Sequence, residues 1–232
     1  MDITLSNLTI GYKHKIVAKD INTSISAGQL TCLIGPNGVG KSTLLRTISG
    51  FQKPIEGQIA IGGKTVSKLS NTERAMLVSV VLTSRPTVSR LTAWEMVGMG
   101  RSPFTGFLGK LSGKDREAVE KAMEMTGTTE LAQRMTEDLS DGESQKIMIA
   151  KALAQQTPVM LLDEPTAFLD FDSRVDLMRL LAQLAHETGK TILLSTHDLG
   201  LACRLGDRLL ELQADGITDK TKKEVEESIN RI

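Results

Sequence analysis

A chain of 232 residues is long enough for one large domain, since folding at that size hides roughly 70–75% of the unfolded surface. Its 28 basic and 28 acidic residues cancel to zero net charge, which disfavours the long-range steering that a basic field gives nucleic-acid-binding proteins. Aromatic residues at 3% are too few for a platform that stacks single-stranded bases. Hydrophobic residues at 40% and charged residues at 24% are the composition of an ordinary globular protein. Apolar runs such as Val159-Met160-Leu161-Leu162 fall far short of the roughly twenty residues needed to cross a bilayer. The opening segment, Met1 to Asn7, has neither a basic n-region nor an apolar h-region, which argues against a cleaved secretory signal and for the cytosol. Cys32 and Cys203 lack metal-ligand spacing and read as small buried hydrophobes.

In chain order, residues 2–34 read as short strands, with Ile3/Leu5 and Ile21/Thr23/Ile25 alternating and Ala27-Gly28 as turn punctuation. Leu30 to Ile34 is a nearly continuous apolar strand that runs into a Gly-rich loop, Gly35 to Gly40. A helix over Lys41–Ile48 follows, closed by Gly50. A strand is expected over residues 57–63, a short polar helix around Asn71 to Ala75, and a sheet strand over Val78–Leu82. From about Pro86 to Ser140 the strand signal disappears, and Ala93–Arg101, Lys114–Thr126 and Thr129–Arg134 read as helices around a Gly/Pro/Phe loop. Alternation then resumes: helix Gly142–Gln156, strand Val159–Leu162, helix Ser173–Glu187, strand Thr191–Ser195, helix Leu199–Leu205, strand Arg208–Leu212. Such alternation predicts a parallel sheet with helices on both faces. From Asp219 onward, Val225, Ile229 and Ile232 share one helical face, and the tail reads as a terminal amphipathic helix.

The segment from Gly35 to Thr43 contains G-x-x-x-x-G-K-S at a strand-to-helix junction, the context that a phosphate-binding loop requires. Glycines let successive N–H groups point inward, and the following helix aims its positive end at the same concavity. Lys41 adds a charge for the β- and γ-phosphates, and Ser42 offers a hydroxyl to Mg²⁺. The strand Val159–Leu162 ends in two adjacent carboxylates, Asp163 and Glu164. On a parallel sheet, strand carboxyl ends share one edge with the phosphate loop. Asp163 can then hold Mg²⁺ through water, and Glu164 can orient or deprotonate an attacking water. His197 follows the next apolar strand and should emerge on the same edge, in reach of the γ-phosphate or the water. Leu139-Ser140-Asp141-Gly142-Glu143 places a Ser-x-Gly turn at the start of a long helix, which reads either as a simple N-cap or as a second anion site. If the latter, the site would serve the nucleotide of a second copy in a head-to-tail dimer.

Together these residues resemble the nucleotide-binding subunit of an ATP-binding cassette transporter, across essentially the whole chain. The phosphate loop Gly35–Thr43, the signature Leu139–Glu143, the acidic strand Val159–Glu164, the D-loop Ala167-Phe168-Leu169-Asp170 and the switch histidine His197 stand in family order. The resemblance implies an α/β fold: a P-loop NTPase (RecA-like) core with a parallel sheet, an N-terminal antiparallel β subdomain and an inserted helical subdomain. It divides the single domain 1–232 into a β subdomain at about 1–30 and 55–67, a nucleotide-binding core at 31–54, 68–85 and 149–212, a helical subdomain at 86–148, and a tail at 213–232. By the same resemblance Tyr12 takes the place of the aromatic that stacks on adenine, and Asn37, Gly38, Gly40, Lys41, Ser42 and Thr43 bind nucleotide. Ser140, Gly142 and Asp170 would contact nucleotide across a dimer, Glu164 and His197 would be catalytic, and Ser42 and Asp163 would hold Mg²⁺ with ATP as substrate.

Residues 91–104, ending in Gly100-Arg101-Ser102-Pro103-Phe104, look like the helical segment of ATPases serving iron-siderophore, haem or cobalamin (FecCD-type) importers. This implies partnership with a second copy, with two integral-membrane permease subunits and, through them, with an extracytoplasmic binding protein, at the cytoplasmic face of the inner membrane and without nucleic acid. A partner helix would dock in a groove between Thr83 and the helical insertion, lined by Trp94, Met96, Met99 and Phe104. Three departures from the family stand out. Thr83 occupies the position of the Q-loop glutamine, and its side chain is too short to ligate Mg²⁺ directly, so water should fill that place. The signature carries Asp141 and Glu143, bringing carboxylates near a bound triphosphate, although negative charge is favoured in a first helical turn. The chain also ends soon after its last core strand, so no regulatory C-terminal domain is expected. Two other readings exist: a soluble cassette ATPase of DNA repair or translation, and a subunit that uses ATP as dimer glue with little hydrolysis. A GTPase is disfavoured, since no Asn-Lys-x-Asp motif occurs.

Overall fold

The computed structural model describes residues 1–13, 15–83, 90–106 and 109–229. Strands β1 (Ile3–Tyr12) and β2 (Lys15–Ile25) open the chain, followed by β3 (Leu30–Ile34), α1 (Lys41–Ile48), β4 (Glu56–Ile61) and β5 (Lys64–Thr65). Then come α2 (Asn71–Leu77), β6 (Val78–Val81), α3 (Ala93–Gly98), α4 (Gly113–Met125) and α5 (Asp141–Ala154). The last part runs β7 (Val159–Asp163), α6 (Phe171–Thr188), β8 (Thr191–Ser195), α7 (Leu199–Leu205), β9 (Arg208–Gln213), β10 (Gly216–Lys220) and α8 (Lys222–Ile229).

Two sheets result. An antiparallel one has the order β2-β1-β4-β5, and a six-stranded one has the order β10-β9-β3-β8-β7-β6. In the larger sheet β6, β7, β8, β3 and β9 are parallel, while β10 pairs antiparallel to β9. Every residue of β3, β7 and β8 is buried, as expected of parallel strands covered on both faces. The period of two divides their side chains between two cores. Leu30, Cys32, Ile34, Met160, Leu162, Ile192 and Leu194 join the core with α3 to α7, whereas Leu33, Val159, Leu161 and Leu193 join α1 and the antiparallel sheet.

Several expected elements are corrected. β1 and β2 are longer than their alternation suggests because register shifts between Leu5, Leu8, Ile10 and Gly11, with Asn7 at φ 46°, break the in-out pattern. The helix expected to continue to Arg101 ends at Gly98 and tightens into a 3₁₀ turn over Met99–Arg101. There Gly100 packs against α5, where a Cβ would lie 2.2 Å from the Lys151 carbonyl oxygen. Thr129–Arg134 is reduced to a 3₁₀ turn at Thr129–Leu131. The tail from residue 213 is not a helix from Asp219 onward: Asp219 lies in β10, and α8 starts at Lys222. Val225 is buried, Ile229 is exposed, and Ile232 lies outside the described residues. Cys32 and Cys203 are both buried and free, and burial pushes the Cys32 thiol up to about 12.

Arg101 ties three helical segments together. Its Nε donates to Asp115 Oδ1 on α4 at 2.9 Å, and its Nη1 donates to the Ala154 carbonyl at 2.7 Å and to Gln156 Oε1 at 2.9 Å. The Ser112 hydroxyl and N–H, and then Arg101, hold the Asp115 carboxyl down at about 2 against its ordinary 3.8. A depressed carboxyl stabilises the folded state above its ordinary value and loses that contribution as pH falls through the folded one. Urea midpoints of the wild type should therefore drop between about pH 4 and pH 2, and Asp115→Asn, weaker at neutral pH, should approach the wild type across that window; a constant gap would refute the assignment.

Candidate functional site

Parallel register sets the site. Leu33 of β3 pairs with Ser195 of β8, Ser195 pairs with Asp163 of β7, and Leu162 of β7 pairs with Val81 of β6. The carboxyl ends of four adjacent strands therefore open in one row, and each expels a polar loop: residues 35–40 after β3, His197 after β8, Glu164 after β7 and Thr83 after β6.

The loop after β3 needs its glycines. Gly35 has φ 142° with a Cβ position 2.6 Å from the Leu212 carbonyl oxygen, and Gly40, at φ 112°, would set a Cβ 2.4 Å from Val17 Cγ1. Gly40 is also the N-cap of α1, which has no side-chain cap and no acidic residue in its first turn. Among the described residues the other seven α-helices each begin on a capping side chain: Ser70, Thr92, Ser112, Ser140, Asp170, Asp198 and Thr221. Among the described residues α1 is thus the one α-helix whose first turn has no side-chain cap at all, which leaves its N-terminal N–H groups and the positive end of its dipole without an acceptor side chain. Lys41 is buried and donates from Nζ to the carbonyls of Gly35 at 2.9 Å and Pro36 at 3.4 Å. Asn37 and Gly38 lie at the tip of this loop.

Asp163 is 5% exposed, and Oδ1 accepts hydrogen bonds from Ser42 Oγ and Ser195 Oγ, each at 2.8 Å. Glu164 follows at φ 49°, a left-handed conformation that costs a non-glycine residue of order 1–3 kcal/mol. Its Oε2 lies 2.8 Å from His197 Nδ1 and its Oε1 lies 3.9 Å from Lys41 Nζ. A carboxylate only accepts, so Nδ1 carries the proton in this contact and Nε2 is the nitrogen left to face outward. Lys41, Ser42, Asp163, Glu164 and His197 therefore meet in one cluster although they come from three segments of the chain. Thr83 reaches it differently: Oγ1 donates to the backbone carbonyl of Asp163 at 2.8 Å. Tyr12 is half exposed at the end of β1, with its hydroxyl 3.3 Å from Thr43 Oγ1 on α1.

Ser140 and Gly142 sit apart, in the first turn of α5. Ser140 Oγ accepts from the Glu143 N–H, and Glu143 Oε2 accepts from the Ser140 N–H. This reciprocal capping box gives the acidic departure at 143 a local role. Its other oxygen, Oε1, pairs with Arg134 at 2.8 Å. The Ser140 N–H first, with Arg134 contributing, holds the Glu143 carboxyl below its ordinary range. Gly142 approaches Ser173, where a Cβ would lie 3.3 Å from Oγ, and Asp170 caps α6 by accepting from the Ser173 N–H and hydroxyl. Of the side chains expected in a partner groove, Met96 is buried in the core and Trp94 packs against it. Met99 and Phe104 are exposed, Phe104 with its ring 4.0 Å beneath the Arg101 guanidinium. The edge of that groove at residues 84–89 lies outside the described residues. Sequence reasoning missed Ser195 and the Arg134–Glu143 pair. The serine's only sequence signal was a polar residue ending an otherwise apolar strand.

Residues 18–167 match the family model described as "ABC transporter". The chain is 39% identical over 211 residues to the iron(3+)-hydroxamate import ATP-binding protein FhuC of Bacillus subtilis, covering 91% of this chain and 78% of that one. It is 40% identical over 206 residues to the ferric enterobactin transport ATP-binding protein FepC of Escherichia coli, covering 89% and 76%. Among solved structures it resembles the dimeric ATP-binding cassette MJ0796 in a post-hydrolysis state bound to ADP and Pi, with TM-score 0.79 and 30% identity over 95% of this chain and 98% of that one. With the phosphate-loop sequence, the uncapped α1 and the acids of β7 on one sheet edge, these likenesses place the chain in the ABC transporter family, as one of its ATP-hydrolysing subunits.

Proposed function

We propose that the chain is the ATPase of a membrane importer, working as a head-to-tail pair of identical copies against two permease subunits supplied by an extracytoplasmic binding protein. The observation that carries the chemistry is the Glu164 carboxylate, held between His197 at 2.8 Å and Lys41 at 3.9 Å. The relatives' printed roles support an iron-siderophore as cargo, and the wider class that includes haem or cobalamin rests on the resemblance of residues 91–104. In that role the chain would sit peripherally on the cytoplasmic face; among the described residues no helix is long and apolar enough to cross a membrane.

ATP binds with its β- and γ-phosphates against the N–H groups of the loop 35–40 and the start of α1. Lys41 exchanges its carbonyl partners for phosphate oxygens, and the Tyr12 ring stacks on adenine. Ser42 Oγ and Asp163 Oδ1 are hard oxygen donors 2.8 Å apart, the donor type that suits Mg²⁺, which needs only one or two side chains besides phosphate oxygens and waters. Bound there, the ion would neutralise charge developing on the phosphates. Glu164 orients a water in line with the γ-phosphorus and accepts its proton. As the water oxygen bonds to phosphorus, the bond to the β–γ bridging oxygen breaks, giving ADP and phosphate. His197 fixes the carboxylate through Nδ1, and its Nε2 accepts from the water in the neutral ring or donates to the γ-phosphate in the protonated one. Ser140, Gly142 and Asp170 contact the nucleotide of the second copy.

Glu164→Gln keeps the shape and loses the base, so phosphate release should fall at least about a hundredfold while ATP is still bound. Size-exclusion chromatography with ATP and Mg²⁺ should then show a trapped dimer, and wild-type turnover would remove Glu164 from this role. Lys41→Ala should instead weaken ATP binding about ten- to hundredfold, the loss of one charge-assisted hydrogen bond. Affinity purification from detergent-solubilised membranes should recover an integral-membrane partner; ribosomes or nucleic acid in its place would favour the soluble reading.

Thr83 is tied to the backbone of Asp163, and one neutral hydrogen bond contributes about 0.5–1.5 kcal/mol. Thr83→Val should slow phosphate release about two- to tenfold and Thr83→Ser should restore it. A loss as large as that of Glu164→Gln would make the hydroxyl a ligand of water or metal.

A further inference from the structure

Ser195 is the last residue of β8 and is fully buried, between Leu33 on one neighbouring strand and Asp163 on the other. Its hydroxyl makes two hydrogen bonds in opposite senses. It donates to Asp163 Oδ1 at 2.8 Å and accepts the Glu164 N–H at 2.9 Å. A hydroxyl is the smallest side-chain group that can do both. The residue it holds by the main chain, Glu164, has the left-handed φ of 49°, so the bond falls on backbone that has no intrinsic preference for its own conformation.

We propose that Ser195 is a positioning residue for ATP hydrolysis, which uses one hydroxyl to fix both the side-chain direction of Asp163 and the backbone that aims Glu164 at the attacking water. This rests on the reading of Asp163 and Glu164 given above. Two consequences separate it from a residue that only fills space. First, the Asp163 oxygen that accepts from Ser195 also accepts from Ser42. With Mg²⁺ bound, Ser42 would be drawn to the ion, and Ser195 would remain as the bond that keeps the carboxylate facing the phosphate loop. Second, Ser195 has no bond to Lys41 or to the loop 35–40, among the described residues, so removing its hydroxyl leaves the phosphate-binding groups in place. The expected defect is therefore in turnover and in response to Mg²⁺, with ATP affinity preserved.

Ser195→Ala should lower kcat about ten- to a hundredfold with KM for ATP within about twofold, because misdirecting a reacting group by a fraction of an ångström acts on the chemical step. The Mg²⁺ concentration for half-maximal rate should rise. Independently of turnover, the increase in Tm when Mg²⁺ is added to ATP-saturated protein should shrink in the variant, while the increase given by ATP alone stays at the wild-type value. Ser195→Thr and Ser195→Val form a control pair of nearly equal volume that differs by the hydroxyl; Thr should recover most of the rate lost in Ser195→Ala, and Val should recover none. Equal rates for Thr and Val, or an Ala variant with wild-type kcat and Mg²⁺ response, would overturn the proposal. A wild type without ATPase activity, or a Glu164→Gln variant with full activity, would instead count against the reading of the site itself.

Discussion

Burying the Asp163 carboxylate is the constraint around which the phosphate-facing edge is organised. A charged carboxylate at the end of a fully buried strand carries a desolvation penalty of several kcal/mol unless its oxygens are satisfied. Two hydroxyls satisfy Oδ1, Ser42 from the start of α1 and Ser195 from the end of β8. Meeting that requirement fixes α1 relative to β7, and so brings the phosphate loop to the acidic strand. It also fixes β8 relative to β7, which carries His197 within 2.8 Å of Glu164. The polar network is small, and each added hydrogen bond locks a different element against the same carboxylate.

Much of this edge was legible in the sequence because parallel strands buried on both faces leave an unbroken apolar signature. Leu30–Ile34, Val159–Leu162 and Thr191–Ser195 each stood out as runs followed at once by glycine or acid, or one residue later by histidine. Once the sheet is parallel, their polar ends must share an edge. The register was not legible, and neither was Ser195, since a serine ending an apolar strand looks like any strand boundary until Asp163 and Glu164 are seen on the neighbouring strand. The same holds for Arg134, 9 residues before Glu143 and outside any helical spacing that would announce a pair.

The misread segments share a cause: tertiary packing overrode local pattern. β10 is an edge strand with an irregular, half-exposed surface, so it lacks clear alternation, and only the Asp215-Gly216 turn signal preceding it could have marked a hairpin. β1 changes register over Leu5 to Gly11, which shifts its buried side chains out of a period of two. The helix after Thr92 stops at Gly98 because Gly100 must approach the α5 backbone and Arg101 must reach Asp115 and the end of α5. Composition names these residues as helix-compatible; the neighbouring helix decides where the turn tightens.

Helix N-termini separate the two sites that the sequence marked as anion-binding. α1 begins on Gly40 with no side-chain cap and no acid in its first turn, so its dipole and N–H groups would meet a phosphate without competition. α5 begins on Ser140 with Asp141 and Glu143 in the first turn and a closed capping box. Its dipole is already opposed by its own acids, and Arg134 returns one positive charge beside Glu143. A phosphate brought to α5 would therefore be recognised by the Ser140 hydroxyl and individual N–H groups more than by a net field. Under the head-to-tail pairing proposed above, that asymmetry would give each chain a strong site that retains its own nucleotide and a weaker surface that engages a neighbour's nucleotide only when two copies close.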